Sequence, residues 1–230
     1  MDSLSDLHII ILLIIGALLL AGIIFYFNPK NRILRALKKV RRKSINSVRE
    51  REYVKIVGKA KSVDIPLIAP LSKRPCVYYD VQVSSSDGEN SYIKIHDVQF
   101  QDFYIEEGTD SALVKLHSVR NKEQLIYLVT DHNMRSGSFN KANDNMERFL
   151  EEHGESSKGF LGFSKSLRYT ERIIEIDEEI AVMGIGKWIT VDQPKDGYSS
   201  SRTLALSGTK EQQLMITDEP KAMKRVKRKL

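Results

Sequence analysis

The sequence has one cysteine and five histidines in 230 residues. Closely spaced Cys or His pairs are the usual sequence signature of a zinc site. Neither Cys-x-x-Cys nor His-x-x-x-His occurs here, so we expect no bound metal. Gly-x-Ser-x-Gly is also missing, and no glycine-rich loop precedes a helical pattern, which argues against common hydrolase and nucleotide-binding motifs. These absences favour a protein without a cofactor, without an evident small-molecule substrate and without a catalytic residue.

Charge is missing from residues 7–27, where twelve side chains between Ile9 and Ile24 are Ile or Leu. A helix of this length reaches about 31 Å, which matches a bilayer core of about 30 Å. The alternative is a cleaved signal peptide, which needs basic residues before the apolar run and small residues after it. Here Asp2 and Asp6 precede the run, and aromatic residues 25–27 end it. The sequence therefore predicts an uncleaved transmembrane helix behind a short N-terminal segment, 1–6.

The distribution of positive charge predicts the orientation. Residues 30–51 hold ten Lys or Arg and one acid, whereas no Lys or Arg precedes the span. The positive-inside rule then places the N-terminus outside and the remaining chain in the cytoplasm. Without this segment and the basic C-terminus, residues 52–220 have 20 basic and 27 acidic side chains despite a net +6 for the whole chain. An acidic body argues against nucleic-acid binding.

The segment 28–52 predicts a basic amphipathic helix beside the membrane. Apolar residues recur at helical spacing, and this stripe would face lipid or the following domain. The stripe is Ile33, Leu34, Leu37, Val40, Ile45 and Val48. The cations expected at an anionic membrane surface are Lys30, Arg32, Arg35, Lys38, Lys39, Arg41, Arg42 and Lys43. A solvated helical connector is the alternative. A second basic segment, 219–230, would reach the membrane only if the chain end returns there.

Residues 53–218 alternate mainly with a period of two, which predicts a β-rich domain of barrel or sandwich type with one short helix. The predicted strands are 53–63, 76–85, 91–104, 111–119, 124–130, 167–176, 179–190, 202–207 and 212–217. The helix is expected over 143–153, capped by Asn143 or Asp144 and ended by Gly154. The polar run 133–145 predicts a mobile loop. About 165 residues of short strands favour one domain.

Three phrases stand out in this domain. They are Ala69-Pro70-Leu71-Ser72-Lys73-Arg74-Pro75-Cys76-Val77-Tyr78-Tyr79; Phe149-Leu150-Glu151-Glu152-His153-Gly154 with Gly159-Phe160-Leu161-Gly162; and Leu167-Arg168-Tyr169-Thr170-Glu171-Arg172-Ile173-Ile174 with Ala181-Val182-Met183-Gly184. In this order behind a membrane helix, the sequence resembles the BAM ("beside a membrane") or GIDE-type domain. That domain occurs in membrane ubiquitin ligases of the MULAN type and in many prokaryotic proteins, and the likeness covers about 53–218.

The motif residues predict fold determinants rather than a catalytic centre. They are Pro70, Leu71, Ser72, Pro75, Cys76, Tyr78, Tyr79, Arg168, Tyr169, Glu171 and Gly184. Prolines delimit a tight connection, and one of Glu171 and Arg172 is expected to face inward and to need a partner. Gly184 and Gly186 indicate a bulge or a close backbone approach. Cys76 at a strand start predicts a buried, inert thiol, with a nucleophile as the alternative.

The eukaryotic ligases of this family resemble one another in a second span and a C-terminal RING finger that binds two zinc ions. With one cysteine in all, this sequence lacks that part, so ligase activity does not follow from the resemblance. We expect a non-catalytic, membrane-anchored domain that binds a protein partner or another copy of itself, and the lipid bilayer. The alternatives are a component of a ubiquitin ligase whose zinc-binding subunit is a separate chain, and a module that senses anionic lipid.

Overall fold

The computed structural model describes residues 2–87, 90–159, 162–191 and 201–224. The helices in this part are α1 (Asp2–Phe27), α2 (Pro29–Lys39), α3 (Asp144–Glu152) and α4 (Pro220–Met223). The strands are β1 (Glu52–Ser62), β2 (Leu67–Ile68), β3 (Pro75–Asp87), β4 (Asn90–Phe100), β5 (Phe103–Glu107), β6 (Asp110–Val114), β7 (Gln124–Ile126), β8 (His132–Ser136), β9 (Leu167–Glu175), β10 (Glu179–Val191), β11 (Ser201–Ser207) and β12 (Leu214–Thr217). The prediction of a mainly β protein behind an apolar helix is confirmed.

Five strands close into a barrel. β1 pairs with β5, β5 with β6, β6 with β11, β11 with β10, and β10 pairs again with β1. On β1, Val54 and Ile56 point into the barrel core, whereas Tyr53 and Val57 point out towards α2. This follows from the two-residue period of a strand. β10 also pairs with β12, which extends the sheet to β7.

A smaller sheet adjoins the barrel, and its strands lie in the order β2-β3-β9-β8, with β4 also paired to β3. One face of this sheet is covered by α3, whose Phe149 and Leu150 are fully buried beside Tyr169. Val77 and Ile174 of the same sheet lie in the barrel core. The two sheets therefore share apolar packing where they meet.

The N-terminal helix is joined directly to the domain. Residues 10–27 of α1 are long and apolar enough to cross a membrane and bury nothing against the rest of the protein. Asn28 caps α2, with Pro29 at the first helical position, where its missing N–H costs no hydrogen bond. Ile33 and Leu37 of α2 are then buried against the outer face of the barrel and against α4. The apolar stripe therefore lies on the domain.

The amphipathic helix is shorter than the segment 28–52 over which it was predicted. α2 ends at Lys39, since Val40 is extended and Arg42 forms a parallel bridge with Lys55 of β1. Ile45 and Val48 follow in a short 3₁₀ turn and its cap, and both are buried in the barrel core. Pairing with β1 overrides helical spacing here, as tertiary contacts commonly do.

Other strand predictions are corrected by the sheet pairing. The single strand predicted over 91–104 is β4 and β5, which belong to different sheets and are separated at Gln101, whose N–H binds the carbonyl of Val77. The strand predicted over 111–119 ends at Val114, and that over 124–130 ends at Ile126. The polar run 133–145 was wrongly predicted to be only a loop, because it contains most of β8.

The predicted helix near 143–153 is confirmed as α3. Asn143 caps it by accepting from the Met146 N–H at 2.9 Å, and Gly154 follows its end at φ +69°. A positive φ at this position is the usual reason for a glycine after a helix.

Candidate functional site

A buried carboxylate organises the first sequence phrase. Glu171 on β9 is 0% exposed, and its oxygens accept from the backbone N–H of Leu71 at 2.8 Å and of Ser72 at 3.1 Å. The inward residue of the Glu171–Arg172 pair is therefore the glutamate, and its partners are backbone amides rather than a cation. Arg172 faces the other way, with a guanidinium nitrogen 3.4 Å from Asp80. The hydrogen bonds from the Leu71 and Ser72 amides to Glu171 are charge-assisted, and they offset the cost of burying its carboxylate.

The loop that holds this carboxylate, Ala69–Arg74, is tightly folded. The Ala69 N–H binds the Arg74 carbonyl, and the Lys73 N–H binds the Ala69 carbonyl, with Lys73 in the left-handed region at φ +59°. Asn145 of α3 donates to the Leu71 carbonyl at 2.9 Å. The loop is thus fastened to β9 and α3 together, which is the arrangement expected of a fold determinant.

Cys76 lies beneath this loop at the start of β3 and is fully buried. Burial, reinforced by the negative charge of Glu171, raises the pKa of the Cys76 thiol to about 12. Because the thiolate is the nucleophile, a thiol of this kind is unreactive at neutral pH. The geometry supports the interpretation of Cys76 as a structural residue.

The two tyrosines of the phrase face opposite sides of the small sheet. Tyr79 packs beside α3 and donates to Asp97 at 3.2 Å, whereas Tyr78 enters the barrel core and stacks on Phe100. Strand alternation places Val77 on the same face as Tyr79, but Val77 lies in the barrel core, because the pairing with β9 shifts register between Cys76 and Tyr78. Burial raises the pKa of Tyr78 to about 12.

The remaining motif residues are divided between core and surface. Tyr169 is buried, with its hydroxyl 3.3 Å from Ser136 Oγ, whereas Arg168 is exposed and does not join the Glu171 cluster. A Cβ on Gly184 would lie 2.8 Å from the Ser207 carbonyl, and one on Gly186 would lie 2.9 Å from Val48. A backbone group therefore approaches Gly184 closely, whereas the close neighbours of Gly186 are side chains.

The predicted membrane-surface cations fall into two groups. Five contact the protein itself: Lys30 pairs with Glu219, Arg32 donates to Gln213, Arg35 to the Tyr26 carbonyl, Arg42 to Glu107 and Lys43 to Glu52. Lys38, Lys39 and Arg41 are exposed and make no ion pair or hydrogen bond within the described ranges. Four of the eight cations therefore bind the domain and Arg35 binds α1, which their sequence neighbours alone could not reveal.

The C-terminal region returns to the end of α1. Lys30, two residues after Asn28, lies 2.6 Å from Glu219, and this hydrogen bond raises the pKa of Lys30. Ala222 of α4 packs in the same cluster as Ile33. We call the surface formed by α2 and α4 the exit face. Lys221 and Lys224 are exposed there, and the other four basic residues predicted in the tail lie outside the described residues.

Four acids, Glu175, Asp177, Glu178 and Glu179, lie at the connection from β9 to β10, where the sequence pattern by itself predicts a hairpin turn with solvated charges. Asp177 does lie in an exposed turn, with Lys61 as its partner. Glu178 does not: burial raises its pKa to about 7, reinforced by Asp218 and Asp131. Burial likewise raises the pKa of Asp218 to about 6. Nothing in the local sequence separates Glu178 from its exposed neighbours.

Within the ranges that the structure describes, no three His, Cys, Asp or Glu side chains are placed to hold a metal ion. His96 faces Asp80 on β4, whereas His117 faces Asp102, so the two histidines form separate pairs. No match was found to any family model, curated protein or solved structure.

Proposed function

We propose that this protein is a non-catalytic scaffold of the BAM or GIDE type, anchored in a membrane by α1, with its β-domain on the cytoplasmic side. It holds a protein partner, or a second copy of itself, at the membrane surface. The motif phrases support the family, and the charge bias around residues 30–51 supports the orientation.

The observation that carries this proposal is the absence of a free linker between α1 and the domain. Asn31 of α2 donates to the Phe25 carbonyl at 2.9 Å, and the Arg35 guanidinium lies over the Tyr26 ring at 4.0 Å. Ile33 and Leu37 then bury the other side of α2 in the domain. A domain joined in this way keeps one orientation to the bilayer, which suits a scaffold.

The test is made on the full chain in its native membrane. The protein should resist alkaline extraction, and a reporter fused after Leu230 should be active only in the cytoplasm. Purified protein, supplied with ubiquitin and its activating and conjugating enzymes, should transfer no ubiquitin. An exported domain, or ubiquitin transfer that is lost in a Cys76→Ala variant, contradicts the proposal.

A second candidate function, contact with anionic lipid, is favoured by the free cations of the exit face. Lys38, Lys39, Arg41, Lys221 and Lys224 are exposed and lie on the segments nearest to α1. Each cation near an anionic leaflet contributes about 1 kcal/mol and is screened within about 10 Å at 0.1 M salt. Residues 28–230 should bind vesicles containing phosphatidylserine and dissociate as salt rises. Equal binding to phosphatidylcholine vesicles would show that these cations serve only to set topology.

A further inference from the structure

Two arginines face each other on the small sheet without any acid between them. Arg135 of β8 and Arg168 of β9 are direct partners in the antiparallel register. Both are exposed, and neither forms an ion pair or side-chain hydrogen bond within the described residues. Like charges at opposed positions of a sheet are destabilising. Their presence in a domain with more acids than bases calls for a function.

The pleat places this pair on the open face of the sheet. The neighbours Met134 and Tyr169 point the other way, into the cluster covered by α3. Only side chains of alternate residues share a face, so Asn133 lies beside Arg135 on the open side. The open face at β8 and β9 is therefore polar and basic.

A groove runs beside the outer edge of β8. It encloses about 540 Å³ and is lined by Asn133, Met134, Arg135, Asn140, Lys141 and Met146, together with Asn143. No acidic side chain lines it, and Lys141 has no ion-pair partner among the described residues. β8 pairs only with β9 in the described sheet. One side of the strand is therefore open along the groove.

The backbone of β8 also faces the groove. The Arg135 carbonyl accepts from the Asn140 side chain at 2.6 Å, on the side away from β9. Because backbone groups of a strand alternate in direction, the N–H and C=O of Asn133 point to that same side. A strand edge of this kind pairs readily with an added extended segment.

We propose that the β8 groove binds an extended acidic segment of a partner protein, which adds a strand to β8 and places carboxylates on Arg135, Arg168 and Lys141. Guanidinium forks match carboxylates in a bidentate manner. A peptide uses the open backbone edge as well as the cations, whereas a lipid headgroup would use the cations alone, so the groove favours a peptide. The inference names the partner class of the proposed scaffold and rests on that function.

The probe is a fluorescein-labelled decapeptide of alternating Glu and Val, titrated against the full chain in neutral detergent. Saturable binding is expected, and a Lys-Val decapeptide should not bind. Arg135→Gln with Arg168→Gln should weaken the Glu-Val peptide by about ten-fold or more. The matched control, Arg120→Gln with Arg148→Gln, removes two exposed charges outside the groove lining and should leave the affinity unchanged.

A second variant tests the backbone contact. Asn133→Pro removes an N–H on the open edge, which an edge strand tolerates, so it should weaken the peptide while circular dichroism stays unchanged. The proposal is overturned by no binding up to about 1 mM peptide, by equal losses in the two double variants, or by arginine-dependent binding of phosphatidylserine vesicles without binding of peptide. Detergent removes the bilayer from this measurement, so failure here leaves the anchoring and topology results to decide the proposed function separately.

Discussion

The exit face and the Ala69–Arg74 loop both fasten helices to β-strands, but by different physical means. At the exit face, α2 buries Ile33 and Leu37 and surrounds them with polar contacts that are largely exposed. At the loop, one buried carboxylate, Glu171, satisfies two backbone amides and has no opposite charge in direct contact. The first junction is apolar and adjustable, whereas the second depends on a single side chain.

This difference distinguishes the motif residues that specify the fold from the exposed residues that a partner could contact. Among the motif residues, Leu71, Cys76 and Glu171 are buried, and backbone amides satisfy the Glu171 carboxylate, so these residues specify the fold. Lys38, Lys39, Arg41, Arg135 and Arg168, in contrast, are exposed and form no ion pair within the described part of the chain. Surfaces available to a partner therefore lie mostly outside the recognisable phrases, although Lys73 and Arg168 of the phrases are exposed cations.

The largest effect is expected at Glu171. Glu171→Ala leaves the N–H groups of Leu71 and Ser72 buried without an acceptor, which should reduce the free energy of unfolding by about 3 to 5 kcal/mol. Glu171→Gln retains one acceptor and should cost less. Urea unfolding followed by tyrosine fluorescence measures both. Arg168→Gln, at the exposed motif residue, should change stability by less than about 0.5 kcal/mol, and a larger loss there than at Glu171 would reverse our assignment.

At the exit face, truncation of one apolar side chain should have a smaller effect. Ile33→Ala leaves a cavity between α2 and the barrel and should cost about 2 to 4 kcal/mol. The loss should be confined to α2 and α4, so limited proteolysis would cut near Lys39 before the barrel unfolds. Lys38→Gln on the exposed side of α2 is the matched control and should have no effect. A global loss of stability would mean that α2 is part of the barrel core.

The raised pKa values of Glu178 and Asp218, which are both partly buried, make the stability of the fold depend on pH. Folding raises the pKa of Glu178 to about 7 and of Asp218 to about 6, so the folded state binds these protons more tightly than the unfolded state. The associated stability is present below about pH 4 and is lost as pH rises through 6 to 7. We expect a decrease of about 1 to 2 kcal/mol between pH 5 and pH 8, allowing for solvent screening. Glu178→Gln with Asp218→Asn should flatten the profile, whereas an unchanged slope would assign it to other groups.

Cys76 should give the smallest change. Cys76→Ala removes one buried sulfur and should cost about 1 kcal/mol, while membrane location stays intact. The native thiol should not react with a disulfide reagent at pH 7.5 until the domain is unfolded, because its pKa is raised to about 12. Rapid labelling of the folded protein would show an accessible thiolate and reopen the question of a nucleophile.

Sequence patterns revealed α1, α3 and most strands because these elements carry local signals. Charge-free length marks α1, an Asn cap and a following glycine mark α3, and two-residue alternation marks β1 and β9. The split between β4 and β5 has no such signal, since alternation continues across Gln101 while the pairing partner changes. β8 was missed because its polar residues face the open side of a sheet that sequence alone does not show.

The candidate sites were harder to predict for a related reason. The basic residues of 30–43 were predicted as one set, but a cation that binds the domain and one that stays free have the same local pattern. Glu219 and Gln213, the partners of Lys30 and Arg32, are distant in sequence. The return of the chain to the end of α1 and the opposition of Arg135 to Arg168 are likewise products of topology.

The central claim, that α2 fixes the domain to the membrane helix, is tested most directly by hydrogen exchange of the full chain in lipid nanodiscs. The amides of residues 33–39 should exchange nearly as slowly as those of β10. Met215→Asp, which changes only the domain side of the contact, should speed the exchange of α2 by at least ten-fold while β3 of the small sheet is unaffected. Exchange of α2 as rapid as that of the turn at residues 209–212 would show that α2 does not hold the domain. Protection of α2 that persists in Met215→Asp would show that α2 lies on lipid, and either result contradicts the claim.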